Sequence, residues 1–183
     1  MIRYFLIFIL LLLTLCSNFY SFKNLRAEYH FKRKMYYNEE SISYKYVDSI
    51  FPSFPNVSSV GSPIDLIKAT AALKEGNISL GIDHLNKSRI INPYTHVADV
   101  IMAKYYLSIG NLYEAKYYAT EAFKNWPKNE QHFSVYNQVL TELKDTLAIM
   151  NAFISLPQNI KEQQNFQNIH FSSINKAKLK YLI

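Results

Sequence analysis

SPIDLIKATAALKEGNISLGIDHLNKSRIINPYT, residues 62–95, is followed by HVADVIMAKYYLSIGNLYEAKYYATEAFKNWPKN, residues 96–129, and the two are one pattern with a period of 34 residues. Asp65, Ile67, Ala69 and Leu73 return as Asp99, Ile101, Ala103 and Leu107. Gly76-Asn77 returns as Gly110-Asn111, and Pro93 as Pro127. A fixed period of this length is the signature of a helix-turn-helix repeat, whose single unit cannot bury its apolar face and stacks on a neighbour.

Each copy spells two helices. Val97, Val100, Ile101, Ala103, Tyr106 and Leu107 are apolar at three- and four-residue steps, which is one helical stripe. Gly110-Asn111 breaks it, because glycine takes positive φ at a helix end. Leu112, Ala115, Tyr118, Ala119, Ala122 and Phe123 restart it, and Trp126-Pro127 stops it, since proline disfavours helix at the residue before it. The small residues Ala103 and Ala115, like Ala69 and Gly81 in the first copy, fall where antiparallel helices touch most closely.

These positions resemble the tetratricopeptide repeat. Ala69 and Ala103 match its small position in the first helix, Gly76 and Gly110 its turn glycine, and Gly81 and Ala115 its small position in the second helix. Ser88 and Ala122 match the late small position, and Pro93 and Pro127 the closing proline. The match covers 68 of 183 residues, and Ser79, Gly81 and Ser88 make the first copy thinner than the second. The resemblance implies an all-α fold, a short solenoid of helical hairpins that binds a protein or peptide. In that family the first helices of successive repeats line a concave groove. Here that implies Leu66, Thr70, Lys74, Val100, Lys104, Ser108, Gln138 and Glu142, with Lys74 and Lys104 on one surface favouring an acidic or carboxylate-bearing ligand. The asparagines of the family's carboxylate clamp are missing.

Outward from the repeats, the composition is 49% hydrophobic and 15% aromatic, too apolar for a disordered chain, and the net charge is +6. The lysines are scattered and read as solvated helix faces. Arg3 precedes an apolar run from Tyr4 to Cys16 broken only by Thr14, and extension to Phe22 gives 19 residues, enough to cross a bilayer as a helix. The run lacks small residues at alternate positions for signal cleavage, and Leu15 before Cys16 argues against a lipoprotein signal. Residues 1–22 therefore read as an uncleaved anchor. The basic residues Lys23, Arg26, Lys32, Arg33 and Lys34 place the downstream side in the cytoplasm, whereas a signal-like N-terminus argues the reverse, so orientation stays open.

Residues 23–61 read as a juxtamembrane helix and a proline-rich linker, with Phe51 and Phe54 expected to pack on the first repeat helix. A lipid-headgroup patch would gain about 1 kcal/mol per basic residue at an anionic leaflet, but Glu28, Glu39, Glu40 and Asp48 dilute the charge and favour a plain connecting helix. The linker and the Ile64–Ala69 segment resemble, loosely, the entry to the repeats in bacterial O-antigen ligase-like proteins. That resemblance implies a second function, an accessory or split-off part of a glycan-handling enzyme of the bacterial inner membrane, with no catalytic residue carried over.

Beyond Asn129 the pattern fades. Phe133, Tyr136, Asn137, Leu140 and Leu143 form one face, Leu147, Ile149, Met150, Phe153 and Ile154 another, and Lys144-Asp145 stands where the glycine turn belongs. Residues 130–157 read as a degenerate third repeat. The tail, 158–183, is rich in Gln, Asn and Lys and reads either as loose chain or as holding a short helix near Ser173 to Leu179.

No chemistry stands out. His30, His84, His96, His132 and His170 are not at zinc-ligand spacing, no glycine-rich phosphate loop occurs, and Cys16 lies in the apolar run, so neither enzyme, cofactor nor metal is expected. Tyr105, Tyr106, Tyr113, Tyr117 and Tyr118 fall on repeat positions expected to pack, so a nucleic-acid partner is not expected either.

Overall fold

The computed structural model describes residues 2–37, 42–51, 54 and 56–179. It divides into two compact units, residues 1–92 and 93–183. The secondary structure is all-α: the described residues form ten helices and no strand.

The first unit begins with α1, Ile2–Tyr37, an uninterrupted helix about 54 Å long at 1.5 Å per residue. Between Arg3 and Tyr36 it is long and apolar enough to cross a membrane, and the most apolar window has no buried residue. Its later turns are different. Asn24, Ala27 and Glu28 are buried, because α2, Tyr44–Ile50, and the loop after it pack there. Asn24 Nδ2 donates to the Val57 carbonyl at 2.5 Å, and Glu28 accepts from Ser59 N–H and Ser59 Oγ, each at 2.6 Å. Val47 and Phe51 join Ala27, Ile64 and Ala71 in a small core. Phe51 thus packs as expected, but Phe54 does not. It stays 65% exposed and sets its ring edge-on to Tyr20 of α1 at 5.6 Å.

Pro63 caps α3, Ile64–Lys74, where its missing N–H costs nothing, and α4, Ile78–Ile91, folds back on α3. The contact is close. A Cβ on Gly81 would lie 2.6 Å from the Leu73 side chain, and Ala69 is fully buried beneath it. Gly81 and Ser88, weak in the repeat pattern, are both buried and serve this packing.

The second unit repeats the hairpin with α5, Val97–Ser108, and α6, Leu112–Asn125, then with α7, Glu130–Glu142, and α8, Thr146–Ile154. Its core joins Val100 and Ala103 of α5, Ala115, Ala119 and Ala122 of α6, and Val135 and Val139 of α7. Tyr113 and Tyr117, expected to pack, are 83% and 52% exposed, because the alanines and Phe123 take the inward stripe of α6. Leu147, Met150 and Ile154 likewise face outward, since α8 buries Ile149 and Ala152 instead.

All three hairpins turn the same way. Gly76, Gly110 and Lys144, at 34-residue spacing, have φ of 77°, 74° and 57°. At each turn the next residue's N–H reaches five residues back: Asn77 to Ala72, Asn111 to Tyr106 and Asp145 to Leu140, each at 2.9 Å. Each glycine or lysine N–H bonds three residues back, which completes a Schellman motif. Asn77, Asn111 and Asp145 then cap the second helices by accepting from Leu80, Glu114 and Ala148 N–H. The third hairpin is therefore regular in its turn, and only α8 is short, at 9 residues against 14 for α4 and α6.

Residues 158–179 are not loose. They form α9, Gln158–Lys161, and α10, Gln164–Leu179, and α10 packs on α7 and α8. Phe166, His170, Ser173 and Ala177 make its buried stripe, with Phe166 against Phe133 at 5.2 Å between rings. The Thr141 hydroxyl, which donates to the Asn137 carbonyl at 2.8 Å, also lies 3.4 Å from the Ser173 carbonyl and ties α10 to α7.

Candidate functional site

Three helices of the second unit frame a surface depression. α5 and α7 lie side by side and bury Val100, Ala103, Val135 and Val139, which turns Lys104, Ser134, Gln138 and Glu142 outward. α10, packed along α7, supplies the far wall through Ser172 and Lys176. Leu107, half-buried, is an apolar part of the lining. This part has a volume of about 250 Å³. A second recess of about 480 Å³ shares Ser134 and Gln138 with it and extends past Gln131 to Lys104.

The lining is rich in amide and hydroxyl groups. Gln138 Nε2 donates to Ser134 Oγ at 3.2 Å, one turn apart on α7. Asn129 is spent on capping, accepting from Gln131 and His132 N–H, and Glu130 is bonded to the Asn165 side chain. An ammonium group stands in each part, Lys104 in one and Lys176 in the other. Such a surface can hold an extended chain by side-chain amide and hydroxyl bonds, with anionic groups beside the lysines.

The sequence-derived residues divide between the units. Lys104, Gln138 and Glu142 lie in this depression, and Ser108 is exposed at the end of α5, its hydroxyl donating to the Tyr105 carbonyl. Val100 is fully buried in the core and has no surface to offer. In the first unit, α3 carries Leu66, half-buried, Thr70, exposed with its hydroxyl on the Leu66 carbonyl, and Lys74, exposed in its last turn. Ser172 and Lys176 were not legible, because they sit on a helix whose buried stripe includes His170 and Ser173 and so does not read as apolar.

A second polar cluster lies inside the first unit. Asn56 Nδ2 donates to Asp65 Oδ2 at 2.6 Å, His84 Nδ1 lies 2.6 Å from Asp65 Oδ1, and the Tyr44 hydroxyl lies 3.0 Å from His84 Nε2. Asp65 and His84 are 4% and 6% exposed. The chain pins α2, the linker, α3 and α4 together. Its repeat equivalent, Asp99, is buried too and meets His96 Nδ1 at 2.8 Å. Among the described residues no three His, Cys, Asp or Glu side chains converge as metal ligands.

No protein-family model, curated protein or solved structure matches the chain.

Proposed function

We propose that this chain is a single-pass membrane-anchored protein of tetratricopeptide-repeat type whose second unit binds an extended, acidic peptide or protein segment. The observation that carries the reading is the amide- and hydroxyl-lined depression of α5, α7 and α10 with Lys104 and Lys176 in its two parts. The repeat assignment draws support from three identical turns at a 34-residue interval and from small residues at the hairpin contacts. The anchor draws support from the unburied apolar span of α1.

The test is a capture experiment with the full chain in detergent against solubilised membranes. A Lys104→Glu, Lys176→Glu variant should keep its helical circular dichroism and lose the captured segment. Capture by the parent should fall with added salt, since exposed pairs are screened beyond about 8 Å at physiological ionic strength. Undiminished capture by the folded variant would remove this depression as the binding surface.

A further inference from the structure

The stretch of α1 just past its apolar run carries a basic notch. Phe19, Lys23, Arg26 and His30 follow one another at four-, three- and four-residue steps, which sets them along one stripe of the helix. The end of α2 closes the other side with Ser49, Ile50 and Phe51, and the enclosed space is about 420 Å³. Lys23, at the notch end nearest the apolar run, bends back over the Phe19 ring, its Nζ 4.6 Å from the centroid, so its stem covers apolar surface.

Of the acids that dilute this charge in the sequence, Glu39 and Glu40 lie outside the described residues, and Glu28 and Asp48 do not dilute it in space. Glu28 is buried on the adjoining face and bonded to Ser59. Asp48 pairs with Lys68 at 2.7 Å. Among the described residues, neither Lys23 nor Arg26 forms an ion pair with a carboxylate.

The position along α1 decides the ligand. Tyr4 to Phe22 spans about 28 Å at 1.5 Å per residue, close to the roughly 30 Å of bilayer hydrocarbon. Lys23 and Arg26 then follow within about 6 Å, inside a headgroup layer of roughly 5–7 Å per leaflet, and His30 follows about 6 Å further out. The fold holds the adjoining loop at the same level. Phe54, 65% exposed, leans on Tyr20 inside the apolar run, and Asn24 holds the loop at Val57, with Val60 78% exposed beyond it.

We propose that the notch formed by Lys23, Arg26 and His30 against Ser49–Phe51 binds the phosphate of an anionic phospholipid and holds the first unit down on the leaflet. This rests on the membrane-spanning reading of α1. The phosphodiester meets Lys23 and Arg26, His30 lies one turn further out toward the polar headgroup, and Phe54 and Val60 enter the interface beside it.

The experiment is native mass spectrometry of the full chain released from detergent with phosphatidylglycerol or phosphatidylcholine, alongside a carbonate wash of membranes carrying the same chain. The parent should remain in the pellet and bind phosphatidylglycerol in preference to phosphatidylcholine. Lys23→Gln with Arg26→Gln should weaken phosphatidylglycerol binding about thirtyfold, while Lys32→Gln with Arg33→Gln, elsewhere on α1, leaves it far less changed. Lys23→Arg with Arg26→Lys should retain it. Equal binding of the two lipids by a parent that stays in the pellet would overturn the notch and leave the anchor standing. Extraction of the parent by carbonate would overturn both. Displacement of the lipid by an equal concentration of glycerol 3-phosphate would mark a site for free phosphate esters and overturn the lipid assignment.

Discussion

Lys144 adopts the backbone conformation of Gly110, with φ of 57° against 74°, at the same point of the hairpin one period later. Lysine there brings its Cβ against the following carbonyl, at a cost of about 1–2 kcal/mol that glycine does not incur. Glycine in turn loses about 0.5–1 kcal/mol more backbone entropy on folding. The balance predicts that Lys144→Gly stabilises the α7–α8 hairpin by about 0.5–1 kcal/mol. Native-state hydrogen exchange at α7 and α8 amides should slow about two- to fivefold. Faster exchange would mean that the lysine conformation is sustained by contacts that glycine loses.

The Asn56–Asp65–His84–Tyr44 chain gives a graded prediction. Asp65 satisfies two donors at once inside the hairpin, whereas the Tyr44 hydroxyl is a single bond at the half-buried end. Asp65→Ala strands both donors in a water-poor site and should cost about 2–5 kcal/mol. Tyr44→Phe should cost about 0.5–1.5 kcal/mol. Hydrogen exchange across α3 and α4 ranks the two. Equal costs would show that the carboxylate is solvated in solution and the chain is not a pin.

The turns and helix ends were legible because they rest on local chemistry. Glycine at positive φ, asparagine one residue later and proline at the helix stop act over a few bonds, and Gly76, Gly110, Asn77 and Asn111 do what their residue types imply. What failed depends on neighbours the sequence does not show. Val100 looked available for a groove, but α6 and α7 both pack on α5 and take it into the core. α10 was unreadable as a packed helix because His170 and Ser173 stand in its buried stripe, and with it went Ser172 and Lys176 of the depression. Asp65 and Asp99 did recur at the repeat interval, and that recurrence was the available signal that both are buried.

Two buried histidines give the second unit an acid-sensitive stability. His132 is 1% exposed and His170 8%. Burial lowers the pKa of His132 below its ordinary 6.5, against the opposing effect of its hydrogen bond to the Ala122 carbonyl; His96 lowers it further and Asp99 raises it. Burial alone lowers that of His170, whose ring stacks on Phe153 at 4.2 Å. Buried His132 Nε2 and His170 Nδ1 have no hydrogen-bond partner, so a proton added at either atom would be unpaired. Well above pH 6.5, near pH 7.5 and higher, both rings are almost wholly neutral folded or unfolded and contribute little to pH dependence. As pH falls below 6.5 the unfolded chain takes up protons that the folded chain refuses. Stability should then fall by up to about 1.4 kcal/mol per pH unit for each histidine, until the folded pKa is reached. His170→Phe keeps the stack on Phe153 and removes one titrating group. Urea titration followed at α7 and α10 should show the parent weakening between about pH 7.5 and pH 5.5, where most carboxylates stay ionised, and the variant weakening less. A parent with equal midpoints at the two pH values, or a variant with the parent's full acid loss, would place these histidines in contact with water.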